Sequence, residues 1–366
     1  MSALSRIAAW TWNNRGPWGA ALRLGLAPAA VVYGVAARGR NFLYDRGWLR
    51  AERAGAPVVS VGNLTVGGTG KTPVVIWLAG ELERLGFRVA VLSRGYGRLG
   101  RGVRVVAEGG RCLLNVEEAG DEPTLVARRV NATVIVGERR ARAAEAATTR
   151  GANLLLLDDG FQHRALARDF DLLLLDRDRQ LASGWTLPAG PLREPGSGAR
   201  RASALALVER ETGLPAARQD GALVPAIPSG KPAFQMTLRP QALVVPDGRV
   251  WREEPLRNLA GQRLLAVSGI ADAPSFYAML RGWEGRMVGT LEFGDHHRYD
   301  RADWRTIVTA ARGTDLIVTT EKDLVKLEQF PFSHGSIAAL RLGIEVENAA
   351  GLLGAVSAAI DAARSR

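Results

Sequence analysis

Between an apolar run ending at Val61 and an amphipathic segment starting near Thr72 lies Gly62-Asn63-Leu64-Thr65-Val66-Gly67-Gly68-Thr69-Gly70-Lys71-Thr72-Pro73. No other feature restricts the possible folds as strongly. Gly67, Gly68 and Gly70 permit backbone conformations that turn several N–H groups toward one anion, and the following helix adds the positive end of its dipole. In such a loop Gly67, Gly68, Thr69 and Gly70 cradle the phosphates of ATP, Lys71 reaches the β- and γ-phosphates, and the Thr72 hydroxyl ligates Mg²⁺. Pro73 suits a first helical turn, where a missing N–H costs little. The strict pattern has glycine six residues before the lysine, and here Thr65 stands there. A glycine-rich turn with an incidental Gly-Lys-Thr is the bland alternative. The strand before and the helix after argue against it.

The surrounding pattern is α/β: a P-loop NTPase-like parallel sheet with helices on both faces. Strands are expected at 58–61, 89–92, 103–106, 133–136, 154–157 and 172–175, with helices at about 72–85 and 138–149. The run Leu154-Leu155-Leu156-Leu157 reads as a strand buried on both faces. Residues 211–232, rich in Pro, Gly and Ala, read as a linker. Beyond them a smaller second α/β unit is expected, with strands at 234–238, 264–267, 287–291 and 316–318 and helices at 274–280, 301–311 and 350–363. The division is 1–45 as an N-terminal membrane-associated helical segment, 46–215 as a P-loop kinase core, and 216–366 as a second domain closing over the site.

A formal charge of +11, carried almost wholly by arginine, favours anionic partners over neutral ones. A single cysteine, Cys112, excludes an internal disulfide framework and a cysteine-based zinc cluster. Trp10, Trp12 and Trp18 precede an apolar stretch over 24–37 that Arg15, Arg23, Arg38 and Arg40 bracket. It falls short of the ~20 apolar residues of a spanning helix. Its flanks suit a helix at the headgroup boundary of an anionic membrane, where each basic residue contributes about 1 kcal/mol.

Several acids stand where phosphoryl transfer needs them. Asp158 and Asp159 end the buried run at 154–157, the position of the acid that holds Mg²⁺ through water in P-loop proteins. Asp121, in Gly120-Asp121-Glu122-Pro123, is either a helix cap or the carboxylate that receives a hydroxyl proton. Asp295-His296-His297 holds half of the four histidines, and a histidine partnering a catalytic carboxylate is the economical reading. Thr320 reads as the cap of a helix that begins with Glu321-Lys322-Asp323. The proline-punctuated loop over 185–195 lies where open α/β sheets bind ligands and is positioned to shape an acceptor site.

In order and content, the segments VGNLTVGGTGKTP, SRGYGR, GDEP, LLLLDDGFQH, LPAGPLREP, FGDHHRY and TTEKDLVKL resemble tetraacyldisaccharide 4'-kinase, the lipid A 4'-kinase family. The resemblance runs from about residue 57 to 327, and Thr65 is usual in that family. It implies two α/β/α domains hinged around the site and an N-terminal helix docked on the cytoplasmic face of the bacterial inner membrane. It further implies transfer of the ATP γ-phosphate to the 4'-hydroxyl of a tetraacylated glucosamine disaccharide 1-phosphate, a glycolipid. Carried over by motif, Asp121 is the base, His296 pairs with it, Asp158 and Asp159 organise Mg²⁺ and the histidine, and Lys71 serves catalysis through the phosphates.

Two other readings compete. A P-loop GTPase or ATPase switch would hydrolyse nucleotide without a lipid acceptor. A basic nucleic-acid-binding protein is the third, but no aromatic-rich recognition motif or helix-turn-helix appears, so nucleic acid is not an expected partner. No obligate protein partner is evident.

Overall fold

A computed structural model of the chain describes residues 11–12, 16–177, 184–212, 230–248, 250–333 and 335–366. Trp10, Arg15 and most of the linker at 211–232 lie outside the described residues.

The chain enters through a helix, α1 (Pro17–Asp45), which at 29 residues is twice the length of the apolar stretch read from the sequence. That corrects the expectation of a segment too short to span a bilayer. Among the described helices α1 is long and apolar enough, by length and composition, to cross a membrane. Pro28 did not end it, because its neighbours Ala and Leu are strong helix formers and the helix has a largely solvent-facing surface on which a missing hydrogen bond costs little.

The first half of the chain then supplies β1 (Val58–Asn63), α2 (Lys71–Arg84), β2 (Val89–Ser93), β3 (Arg104–Glu108), β4 (Arg111–Cys112), α3 (Val116–Ala119) and α4 (Asp121–Arg129). It continues with β5 (Thr133–Val136), α5 (Arg140–Thr149), β6 (Leu154–Asp158), β7 (Phe170–Asp176) and β8 (Ala204–Arg210). The second half supplies β9 (Ala233–Asp247), β10 (Val250–Glu254), β11 (Arg263–Ser268), α6 (Ala273–Arg281), β12 (Arg286–Glu292) and α7 (Arg301–Ala310). It closes with β13 (Leu316–Thr320), α8 (Glu321–Leu327), β14 (Ile337–Val346) and α9 (Ala349–Arg364).

All strands among the described residues join one sheet in the order β12-β11-β13-β14-β9-β8-β7-β1-β6-β2-β5-β3-β4, with β10 paired to β9. The centre, β8-β7-β1-β6-β2-β5, is parallel throughout. β3 runs antiparallel to β5 at the edge, the two halves meet where β8 and β9 pair in parallel, and β9 pairs antiparallel with β14 on its other side. Successive residues of the central strands point to opposite faces. Val59, Val61, Val91, Leu154 and Leu156 pack under α2, α4 and α9, whereas Val58, Ala90, Leu92, Leu155 and Leu157 pack under α5. The second half has its own pair of apolar layers, one under α6 and one under α7 and α8. The last helix, α9, returns to the first half's core through Leu352, Val356 and Ile360.

The parallel centre fixes where chemistry can occur. β1, β2 and β6 all end on the same edge, so the glycine-rich loop, Ser93 and Asp158 are delivered to one place.

Candidate active site

The glycine-rich loop is held by the strand that precedes it. Asn63, the last and fully buried residue of β1, donates from Nδ2 to the Thr69 hydroxyl at 2.7 Å and to the Thr65 hydroxyl at 3.3 Å. Its Oδ1 accepts from Lys71 Nζ at 3.2 Å. Thr65, where the strict motif has glycine, therefore takes part in the loop's own bonding. The loop is also stitched to the 185–195 segment, Val66 N donating to the Pro191 carbonyl at 2.8 Å. Gly70 precedes α2 with φ +77°, and a Cβ there would lie 2.6 Å from Leu238 Cδ1 on β9, so any other residue is strained there and forces Leu238 to shift. Thr72 sits in the first turn of α2, beside Lys71.

Two acids face this loop with different electrostatics. Asp158 ends β6, is 2 % exposed, and accepts from Ser93 Oγ at 3.3 Å. Burial, with the nearby charges of Glu122 and Asp159, pushes its carboxyl up to about 7, against the pull of Lys71 and Arg140. Asp159 adopts a left-handed backbone, φ +53°, which turns its side chain back to the loop. Burial presses its pKa upward, but Lys71 at 3.6 Å and Arg193 at 2.7 Å outweigh that and hold it below the usual carboxylate range. Its Oδ1 is buried and accepts no hydrogen bond.

This donor set fits Mg²⁺. Asp159 offers a buried oxygen without a hydrogen-bond partner, Asp158 is a second carboxylate beside it, and Thr72 supplies a hydroxyl at the helix start. Among the described residues no cluster of three or more acidic, histidine or cysteine ligands forms a self-contained metal cage. Mg²⁺ held jointly with phosphate oxygens needs none.

A second group gathers around Asp121. Gly120, at φ +93°, passes within 3.1 Å of the Tyr96 carbonyl measured from where a Cβ would be, and this close approach sets the start of α4. Asp121 is 6 % exposed and does not occupy the cap position, which Gly120 holds, although its Oδ1 also accepts from the first-turn amide of Glu122 at 2.9 Å. Instead Oδ1 and Oδ2 of Asp121 lie 3.1 and 3.0 Å from Nδ1 of His296, whose ring also contacts Tyr96. Lys326 Nζ is 3.6 Å from Asp121, and Lys322 Nζ is 3.9 Å away. Burial opposes the charge on Asp121, but the His296 hydrogen bond and the two lysines hold its carboxyl far below the ordinary range.

The two histidines of the pair separate. His296, at φ +56°, turns to Asp121, whereas His297 Nε2 bonds Asp303 Oδ2 at 2.8 Å inside the capping box of α7. Neither Asp158 nor Asp159 is a hydrogen-bond or ion-pair partner of His296, which finds Asp121, Lys322, Glu122 and Asp295 instead. Thr320 does cap α8, accepting from Asp323 N at 3.1 Å. Capping is not the helix's whole contribution: Lys322 and Lys326, one turn apart, share the face that meets α4. That i, i+4 spacing was the available signal. Asn63, Ser93, Glu122, Arg193, Lys322 and Lys326 are the site residues sequence reasoning did not assign.

The 185–195 loop serves as a bracket for α1. Thr186 Oγ1 donates to the Ala30 carbonyl at 2.7 Å, Tyr33 OH to the Arg193 carbonyl at 2.9 Å, and Asn41 Nδ2 to Glu194 Oε2 at 2.7 Å. Arg40 donates to the Gln162 carbonyl at 3.1 Å, so this arginine faces the loop after Asp159, and Arg23 donates to the Thr11 carbonyl. The helix is thus fixed beside the phosphate loop.

The family model for tetraacyldisaccharide-1-P 4'-kinase matches residues 22–361. A tetraacyldisaccharide 4'-kinase from Anaeromyxobacter dehalogenans (strain 2CP-C) is 42% identical over 330 residues, covering 89% of this chain and 87% of that protein. One from Syntrophotalea carbinolica is 44% identical over 305 residues, covering 82% of each. A crystal structure of LpxK from Aquifex aeolicus in complex with ATP is similar with a TM-score of 0.77 and 34% identity, over 93% of this chain and 99% of that one. The chain belongs to the tetraacyldisaccharide 4'-kinase family.

Proposed function

We propose that the chain transfers the γ-phosphate of ATP to the 4'-hydroxyl of a tetraacylated glucosamine disaccharide 1-phosphate, a step of lipid A biosynthesis. The observation that carries this reading is the pairing of the buried Asp121 with the half-buried His296 beside the sheet edge that carries the glycine-rich loop. A switch NTPase has no use for that pair.

ATP lies with its phosphates over Gly67, Gly68, Thr69 and Gly70, with Lys71 at the β- and γ-phosphates. Thr72, Asp158 and Asp159 would hold Mg²⁺, which would neutralise charge developing on the phosphate oxygens. To reach phosphate, Lys71 exchanges its contacts with Asn63 and Asp159 for the nucleotide. Arg193 stays on Asp159 and keeps its carboxylate charged.

Asp121 receives the hydroxyl of the acceptor. Its strongly depressed pKa makes it a weak proton acceptor in the ground state, which suits a loose transition state: the ionised carboxylate orients the hydroxyl, and the proton moves late, once the oxygen has bonded phosphorus. Most of the rate therefore comes from positioning and charge stabilisation.

We place α1 on the cytoplasmic face of the bacterial inner membrane. Trp18, Leu24, Val32 and Val35 are exposed along it and Trp48 just beyond its end, the apolar surface a bilayer interface covers. The divisions at 45/46 and 215/216 describe working units, a membrane segment, a P-loop core and a closing unit. The continuous sheet and the return of α9 tie the last to the core.

Transfer of labelled γ-phosphate to a tetraacylated disaccharide 1-phosphate in detergent tests the proposal. Mg²⁺-dependent labelling of the lipid is expected. Release of phosphate without lipid labelling would put the switch reading first.

A further inference from the structure

The imidazole of His296 is engaged at both nitrogens. Nδ1 lies 3.0 Å from Asp121, and Nε2 lies 3.1 Å from Nζ of Lys322. Lys322 is itself surrounded by acids: Glu122 and Asp295 each at 3.3 Å, and Asp121 at 3.9 Å. These carboxylates keep it an ammonium, which has three donors and no acceptor. An ammonium at hydrogen-bond distance from Nε2 requires that nitrogen to present its lone pair. The ring proton must then sit on Nδ1 and point at Asp121. A doubly protonated ring would set an N–H against an ammonium, two donors and two positive charges, in the same contact.

We infer that Lys322 is a positioning residue for phosphoryl transfer: its ammonium donates to Nε2 of His296 and holds the imidazole neutral, with the proton on Nδ1 directed at Asp121. A neutral imidazole fixes Asp121 by hydrogen bond without adding a full positive charge to a carboxylate that already faces Lys322 and Lys326. The inference rests on the reading of Asp121 as the acceptor's partner.

The groups facing His296 are Asp121 and Glu122 from α4, Asp295 from its own loop, Lys322 from α8 and Tyr96 from the loop after β2. Burial and Lys322 press its pKa down, while the bond to Asp121 and the charges of Asp121 and Asp295 press it up, and the balance lies above the ordinary value. Without Lys322 nothing in this set except burial opposes protonation.

Nitrogen NMR of the full-length chain in detergent, labelled with ¹⁵N-histidine, reads the proton directly. The chain has four histidines, and the His296 signals are those lost in His296→Gln. At about pH 8.5 wild-type His296 is expected as the neutral Nδ1–H tautomer. In Lys322→Met its titration midpoint should rise by about one pH unit, as removal of a neighbouring like charge predicts. The acid limb of kcat should move up with it while KM for ATP holds. Should the Met variant fail to fold, Lys322→Gln removes the charge with a polar side chain and should still raise the midpoint. An Nε2–H tautomer or an imidazolium in the wild type overturns the inference, as does an unmoved midpoint in a folded variant. Failure of the wild type to phosphorylate lipid would refute the kinase reading and leave the tautomer measurement standing.

Discussion

Lys71 and Asp159 form an ion pair at 3.6 Å, with Asn63 Oδ1 holding the same ammonium from the other side at 3.2 Å. The lysine proposed to reach phosphate thus already stands at the mouth of the loop, and the acid proposed to hold Mg²⁺ keeps it there. Loop and acid come from different crossovers of the sheet, brought together because β1 and β6 are neighbours in register.

Lys71→Ala should therefore lower the rate of transfer at least about 1000-fold, a preorganised charge at the phosphates being lost. Folding should be spared, since Asp159 retains Arg193 and Asn63 retains the two threonines. Turnover assays with a parallel thermal melt check both halves. A near-normal rate would remove Lys71 from the site.

Gly70→Ala meets two obstacles, a left-handed φ of +77° and a 2.6 Å clash with Leu238 Cδ1. The conformation alone costs about 1–2 kcal/mol. Weaker ATP binding and a lower melting temperature are expected. Adding Leu238→Ala should relieve the clash but leave the backbone cost, so ATP affinity recovers only in part. Full recovery by calorimetry would mean that φ is not limiting.

Asp158 is buried with its pKa raised to about 7 by burial and by Glu122 and Asp159. Unfolded, it titrates near 4. A raised folded pKa means its contribution is fully present below the unfolded pKa and is lost as pH rises toward about 7. Without nucleotide and metal, Asp158→Asn should melt about 5 °C above the wild type at pH 8, and the two should converge at low pH. A variant less stable than the wild type at pH 8 would show that the charged carboxylate is well compensated.

Arg129, near the end of α4, pairs with Glu321 at 2.6 Å, and Arg341 of β14 joins the same carboxylate at 2.8 Å. Beside them Arg128 pairs with Glu328, which also accepts from Trp251. These ties lock α4 against α8 and so register Asp121 with Lys322 and Lys326. Arg129→Met should destabilise by about 2 kcal/mol, less than a fully broken buried pair because Arg341 remains. Denaturant melts measure this, and an unchanged midpoint would assign the registry to packing alone.

Where apolar runs are continuous the sequence was explicit. The strands at 89–92, 133–136 and 154–157 were legible within a residue, because strands buried on both faces leave no polar alternation to confuse them. β9 was legible only over its first third; Pro240 and Pro246, which have no N–H to give a ladder, interrupt the strand pattern beyond it. In the structure Pro240 sits at the register shift opposite Leu342 and Pro246 pairs with the edge strand β10, places where a missing N–H is tolerated. β8 and β14 escaped notice because Ala, Leu and Arg fit a helix as well as a strand. Asp121 and His296 could be paired only through family resemblance, 175 residues apart as they are. Lys322 shows in the sequence only as half of an i, i+4 lysine pair; its partners come from α4 and from the Asp295 loop, contacts that the sheet's topology creates.

The most direct test is single-turnover transfer by rapid quench with saturating Mg²⁺-ATP and lipid, comparing the wild type with Asp121→Asn, which keeps shape and removes charge. The rate of the chemical step should fall by at least about 1000-fold with ATP affinity unchanged. A rate within a few-fold of the wild type, or an equal loss of ATP binding, would contradict the placement of Asp121 at the accepting hydroxyl.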